Sequence, residues 1–97
     1  LPSAGCSFKN ILYTADHEKF KHWEIKGKLP AAKFIEDQDL KGYKLGGAMV
    51  SDVHANFIVN YDSATAEDIM QLISFVKSKV RTNYNIQLEE EVQYVGF

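Results

Sequence analysis

FIVNYDSATAEDIMQLISFVKSKVRTNY, residues 57–84, contains the change of hydrophobic period that decides the fold. Its first five residues, Phe57 to Tyr61, are short, apolar and partly β-branched, which is the composition of a buried strand. From about Ala66 to Tyr84 the period changes. Ile69, Leu72, Ile73, Val76 and Val80 follow an i, i+3, i+4, i+7, i+11 spacing and form one apolar stripe on a helix. Thr65 precedes that helix and Asp68 stands three residues on, a near capping box for the free N–H groups of the first turn. Lys77, Lys79 and Arg81 gather in its last third, where cations complement the helix dipole. A strand followed by a one-striped helix needs a sheet for the stripe to cover. The fold class that follows is α+β.

Upstream, KGYKLGGAMVS (41–51) carries Gly42, Gly46 and Gly47, which punctuate short strands with turns. Pro30 suits a helix's first turn, because its missing N–H has no partner there anyway. Ala31 to Asp37 continues as a helix with Phe34 and Ile35 inward. Residues 14–27, TADHEKFKHWEIKG, are polar and loosely amphipathic; their period leaves a short helix and a surface excursion equally open. At the start, Pro2 and Gly5 read as a turn, with Ser7-Phe8-Lys9 entering a short strand. Leu88 to Val95 alternates as a final strand with Val92 on one face. The expected architecture is a single α+β domain, a small sheet packed against helices, with no repeat, low-complexity tract or linker.

The totals exclude several functions. A formal charge of −2, with basic residues scattered, gives no field for nucleic acid. No apolar run approaches the ~20 residues that span a bilayer, and no signal-peptide pattern is present. One cysteine cannot form an internal disulfide, so a reducing, cytoplasmic setting is expected.

Reactive groups crowd into the first ten residues, LPSAGCSFKN, where chains usually fray. That placement suggests a piece of something larger. Cys6 follows Gly5 and precedes polar residues, which reads as a turn open to a ligand, although lone cysteines are mostly small buried hydrophobes. At an ordinary pKa near 8.5 its thiol keeps its proton at neutral pH. It can then protonate a carbanion, or attack if a base activates it. His17 and His22 read as solvated, and His54 lies in a turn before a strand. None has metal-ligand spacing with Cys6. Glu89, Glu90 and Glu91 form a charge run; in a strand, Glu89 and Glu91 share one side and Glu90 takes the other. Lys28 reads as an exposed lysine between Gly27 and Leu29.

Five segments in order, PSAGCSFKN, GKLPAAKFIED, LKGYKLGGAMVSDVHANFIVN, ATAEDIMQLISFVKSKV and LEEEVQYVG, resemble one family. It is the C-terminal, substrate-binding domain of UDP-N-acetylenolpyruvoylglucosamine reductase, also called UDP-N-acetylmuramate dehydrogenase. The resemblance spans nearly all of residues 1–97 apart from about 11–27. It implies an oxidoreductase of bacterial peptidoglycan synthesis in which FAD-binding domains, absent from this chain, come before this one. NADPH reduces FAD, the UDP-N-acetylglucosamine enolpyruvate enters, and hydride reaches its vinyl group while a protein group protonates the neighbouring carbon. The family's usual donor, a serine directly after the glycine, falls on Cys6, which leaves open whether Ser7 substitutes for it. The glutamate before the valine of the ending falls on Glu91. Asn10, Lys28 and His54 fall on substrate-contacting positions, Lys28 near the diphosphate. The resemblance implies no cofactor-binding or metal-binding residue in this chain, no bound FAD or NADPH, no activity for the piece alone, and no nucleic-acid or membrane partner. The alternative is a non-catalytic interaction module presenting the Lys44-Leu45-Gly46-Gly47-Ala48 turn and its apolar strand; a self-contained thiol enzyme is weaker, since no histidine is spaced to pair with Cys6.

Overall fold

The computed structural model describes residues 3–95. Strands β1 (Ser3–Phe8), β4 (Lys44–Leu45), β5 (Ala48–Val50), β6 (Phe57–Asn60) and β7 (Glu90–Val95) form one antiparallel sheet in the order β4-β5-β6-β1-β7. A separate two-stranded ribbon pairs β2 (Ile11–Leu12) with β3 (Lys28–Leu29). The helices are α1 (Ala31–Glu36) and α2 (Ala66–Tyr84), and a 3-10 helical segment spans Ala15–Trp23. This is the expected α+β arrangement.

Antiparallel registers determine which side chains share a face. Cys6 lies opposite Ile58 on β6 and Val92 on β7, and Ile58 lies opposite Val50. Cys6, Phe8, Ala48, Val50 and Ile58 are buried, as are Leu72, Ile73, Val76 and Val80 of the α2 stripe. The stripe packs onto this face and creates the core. Each such aliphatic side chain, fully buried, contributes about 1.5–3 kcal/mol. The other face carries the row Lys44, Met49, Val59 and Gly5, and beside it the row Phe57, Ser7 and Glu91. Met49, Val59 and Phe57 there are only half-buried.

The α2 boundaries match the sequence reading. Thr65 accepts from the Asp68 N–H at 3.0 Å, and the Asp68 carboxylate accepts from the Thr65 N–H at 3.1 Å, completing the box. Asn85 ends the helix in the left-handed conformation, φ 57°, a stop signal no composition argument singled out.

Gly46 and Gly47 join the β4–β5 turn to this helix start. Gly47 N–H donates to Asp68 at 3.1 Å, and a Cβ on Gly47 would stand 2.1 Å from the Asp62 carbonyl oxygen. Gly46 has φ +56°, and its Cβ would meet the Asp68 carboxylate at 2.5 Å. These glycines are consumed by packing and do not form an open phosphate cradle.

Three local expectations change. Gly5 is not in a turn: it is laddered to Val59 on one side and Gln93 on the other, because β1 sits between two strands and starts at Ser3. The turn's other residue, Pro2, lies outside the described residues. Pro30 is the N-cap of α1 with extended backbone, φ −65° and ψ 124°, one position before the helical turn. β7 begins at Glu90, two residues after Leu88, whose side chain is instead buried in the core.

The open question over residues 14–27 resolves as a helical excursion. It is capped by Thr14 and kinked at His17. It is anchored by aromatic packing: Phe20 and Trp23 each lie 5.1 Å from the Phe34 ring of α1, and Tyr84 of α2 lies 5.3 Å from it. Rings crossing edge to face at these separations add to the area they bury.

Candidate functional site

The strand directions bring the sequence-derived candidates to one end of the sheet. β1 runs toward this end and finishes at Phe8; Phe8 N–H donates to the Asn56 carbonyl at 3.0 Å, and Lys9 N–H donates to the Glu89 carbonyl at 2.8 Å. The β5–β6 turn with His54, the start of β7 with Glu91, and Asn10 all lie there. The β2–β3 ribbon follows Asn10 directly and places Lys28 opposite Leu12.

Asn10 has a structural task at this end. Its side-chain oxygen accepts from the Ala31 N–H at 3.1 Å, capping α1, whose N-cap Pro30 has no side-chain acceptor. The carboxamide NH2 group remains to donate elsewhere. Lys28 is exposed on the ribbon, as read from its place between Gly27 and Leu29. His54 is exposed in its turn. Its backbone N–H donates to the Ser51 hydroxyl at 3.1 Å, and its ring lies 5.9 Å from that of Phe57.

Cys6 does not sit in an open turn. It lies in the strand at 1% exposure, on the helix-covered face. Burial first, and then the Glu90 charge, push its pKa up to about 11. The thiol therefore holds its proton at neutral pH, and the thiolate that a self-contained thiol enzyme requires is disfavoured. Glu90 shares that face through its pairing with Phe8. It is tied at 2.8 Å to Lys77 of α2, and the hydrogen bond from that ammonium holds its carboxyl below the usual range.

Glu91 falls on the opposite face from Cys6, since consecutive positions of β7 alternate. Its direct cross-strand neighbour is Ser7, which is 6% exposed. Sequence reading separated Glu91 from Glu90 correctly by alternation. It considered Ser7 only as a possible substitute for Cys6, because the β1–β7 register that sets Ser7 across from Glu91 is not stated by the sequence. A hollow of about 270 Å³ lined by Ser74, Lys77, Ser78, Arg81 and Gln87 lies against α2 and draws on none of the five candidates. Among the described residues no three His, Cys, Asp or Glu side chains gather as a metal-holding group, and no helix is long and apolar enough to cross a membrane.

Comparison with known proteins follows the same order of segments. Residues 1–95 match the model of the family described as UDP-N-acetylenolpyruvoylglucosamine reductase, C-terminal domain. A protein of Bacillus pumilus (strain SAFR-032) named UDP-N-acetylenolpyruvoylglucosamine reductase is 47% identical over 95 residues, covering 98% of this chain and 26% of that protein. Proteins of the same name from Chloroherpeton thalassium and Thermotoga maritima are 44% and 45% identical, covering 100% and 96% of this chain and 28% of each relative. The chain thus spans about a quarter of the length of the curated relatives it matches.

Proposed function

This chain belongs to the family of C-terminal domains of UDP-N-acetylenolpyruvoylglucosamine reductase, and from that premise we propose that it is the substrate-binding and proton-donating part of such an enzyme. The full-length protein reduces UDP-N-acetylglucosamine enolpyruvate to UDP-N-acetylmuramate for peptidoglycan synthesis, in the cytoplasm. FAD, reduced by NADPH, supplies the hydride when bound, and both belong to the remainder of the polypeptide. No flavin step is assigned to these residues, whose paired glycines are taken up by Asp68, Asp62 and Ala64.

The observation that carries this reading is convergence. Asn10, His54 and Glu91 come from three separate stretches near the end of the sheet at which β1 finishes, and Lys28 lies on the ribbon that follows Asn10. Lys28 meets the diphosphate as a point charge, while Asn10 donates from the NH2 group that its capping oxygen leaves over. His54 contacts the substrate from its turn. Hydride addition to the terminal vinyl carbon places charge on the neighbouring carbon and its carboxylate; a proton delivered to that carbon completes the lactyl ether. A proton donor acting at this point lowers the barrier because it acts where charge develops; Cys6 and Glu91, on opposite faces of the sheet, do not act side by side in this chain.

Cys6 occupies the family position of the donor and holds its proton at neutral pH. Donation requires that its thiol, covered in this chain, be opened to substrate in the full-length enzyme. The interaction-module alternative is not favoured, because the turn it relied on is packed into the start of α2. The test is Cys6→Ala in the full-length enzyme. Substrate reduction is expected to fall about 10²–10⁴-fold, the range of general-acid contributions, with NADPH-driven flavin bleaching unchanged. A variant with the wild-type rate would remove Cys6 from the chemistry.

A further inference from the structure

In the β5–β6 connection, residues 51–56, the Ser51 hydroxyl oxygen accepts from the Val53 N–H and from the His54 N–H, each at 3.1 Å. We infer that Ser51 is a positioning residue for His54: the two bonds fix the backbone from which the imidazole reaches the substrate. This rests on the proposed function, since it presumes that His54 contacts the substrate.

The connection is longer than strand pairing requires. A tight hairpin needs about two residues. Six stand between Val50 and Phe57. The strands are already closed at its base, where Ser51 N–H donates to the Phe57 carbonyl at 2.9 Å. After His54 the chain is anchored to the body of the domain: Ala55 is buried, and the Asn56 carbonyl accepts from the Phe8 N–H at 3.0 Å. Before it, Asp52, Val53 and His54 are all exposed. No burial offsets the entropy lost in ordering those three residues. The Ser51 oxygen supplies the bonds that do, by the local side-chain-to-backbone pattern typical of serine in turns.

The imidazole itself has a second restraint. Its ring lies 5.9 Å from the Phe57 ring and is inclined to it by 66°, an edge-on contact. Phe57 is the cross-strand neighbour of Ser7, which opposes Glu91 on the other side. Backbone fixed by Ser51 and ring set against Phe57 together hold His54 beside this row. A hydroxyl oxygen has two lone pairs, and here two N–H groups occupy them. The Ser51 oxygen therefore supports the turn and is not left open to accept from a ligand.

The test is made in the full-length flavoenzyme, where NADPH-driven flavin bleaching reports that each variant is folded. Ser51→Ala is expected to raise KM for the enolpyruvyl sugar nucleotide about fivefold, within the worth of one or two hydrogen bonds, with kcat within about twofold. Ser51→Thr, which keeps the acceptor, restores KM; Ser51→Val, of the same shape without it, does not. His54→Ala is expected to raise KM about tenfold, and adding Ser51→Ala to it changes nothing further. Losses that multiply in the double variant mean that Ser51 acts apart from His54 and overturn the assignment, as do Thr and Val variants that move together. If His54→Ala raises KM while Ser51→Ala does not, the inference is wrong and the proposed function stands. If His54→Ala itself leaves KM unchanged, the proposed contact of His54 falls and the inference falls with it.

Discussion

At the scale of single residues, the Asn10 oxygen caps α1 and leaves its NH2 group over, so the observed structural role and the proposed substrate role separate chemically. Asn10→Asp keeps an acceptor for the Ala31 N–H and loses the donors. It is expected to retain thermal stability and raise the KM of the full-length enzyme about tenfold, the value of one lost hydrogen bond. Asn10→Ala gives up both and is expected to lower the melting temperature as well. Equal KM values for wild type and Asn10→Asp would leave Asn10 with a structural role only. The capping role is invisible in sequence, where Asn10 and Ala31 stand 21 positions apart. Cys6 gives the opposite case. Polar neighbours and a preceding glycine suggest an open turn, yet the strand continues through both because β6 and β7 pair with it from either side. Long-range pairing overrode the local signal.

At the scale of elements, legibility followed period and length. The α2 helix could be read to its last residue because nineteen positions repeat one stripe and the capping pair lies within four residues of sequence. The 14–27 excursion could not, since its anchors, Phe34 and Tyr84, lie outside it. Gly46 and Gly47 were seen as turn residues, but their partner Asp68 belongs to the next helix. Gly47→Ala forces a Cβ against the Asp62 carbonyl, where the backbone has no flexible end to yield. This chain is expected to lose its cooperative thermal transition with that substitution, followed by circular dichroism. Thr65→Ala removes a cap alone and is expected to cost about 1 kcal/mol. Comparable losses in the two variants would contradict the proposed joint. The Asp68 carboxyl, held below its ordinary pKa first by the Gly47 N–H and then by Thr65, stabilises the fold above its unfolded pKa. That contribution disappears as pH falls through its folded value.

At the scale of the whole molecule, helices cover one face of the sheet and leave the other to Met49, Val59, Phe57, Ser7 and Glu91, while the relatives are nearly four times as long. The fold class could be read from motifs and period. Which of two adjacent β1 residues faces Glu91 could not, because a shift of one position exchanges the faces of a strand. The central claim is that this chain handles the proton side of the reduction and leaves electron entry to the rest of the enzyme. Rapid mixing of the full-length Glu91→Gln enzyme tests it most directly, with flavin absorbance followed first on adding NADPH and then on adding the enolpyruvyl sugar nucleotide. The account predicts an unchanged bleaching rate in the first step and a reoxidation rate at least about a hundredfold slower in the second. Reoxidation at the wild-type rate, or an equal loss in both steps, would contradict it.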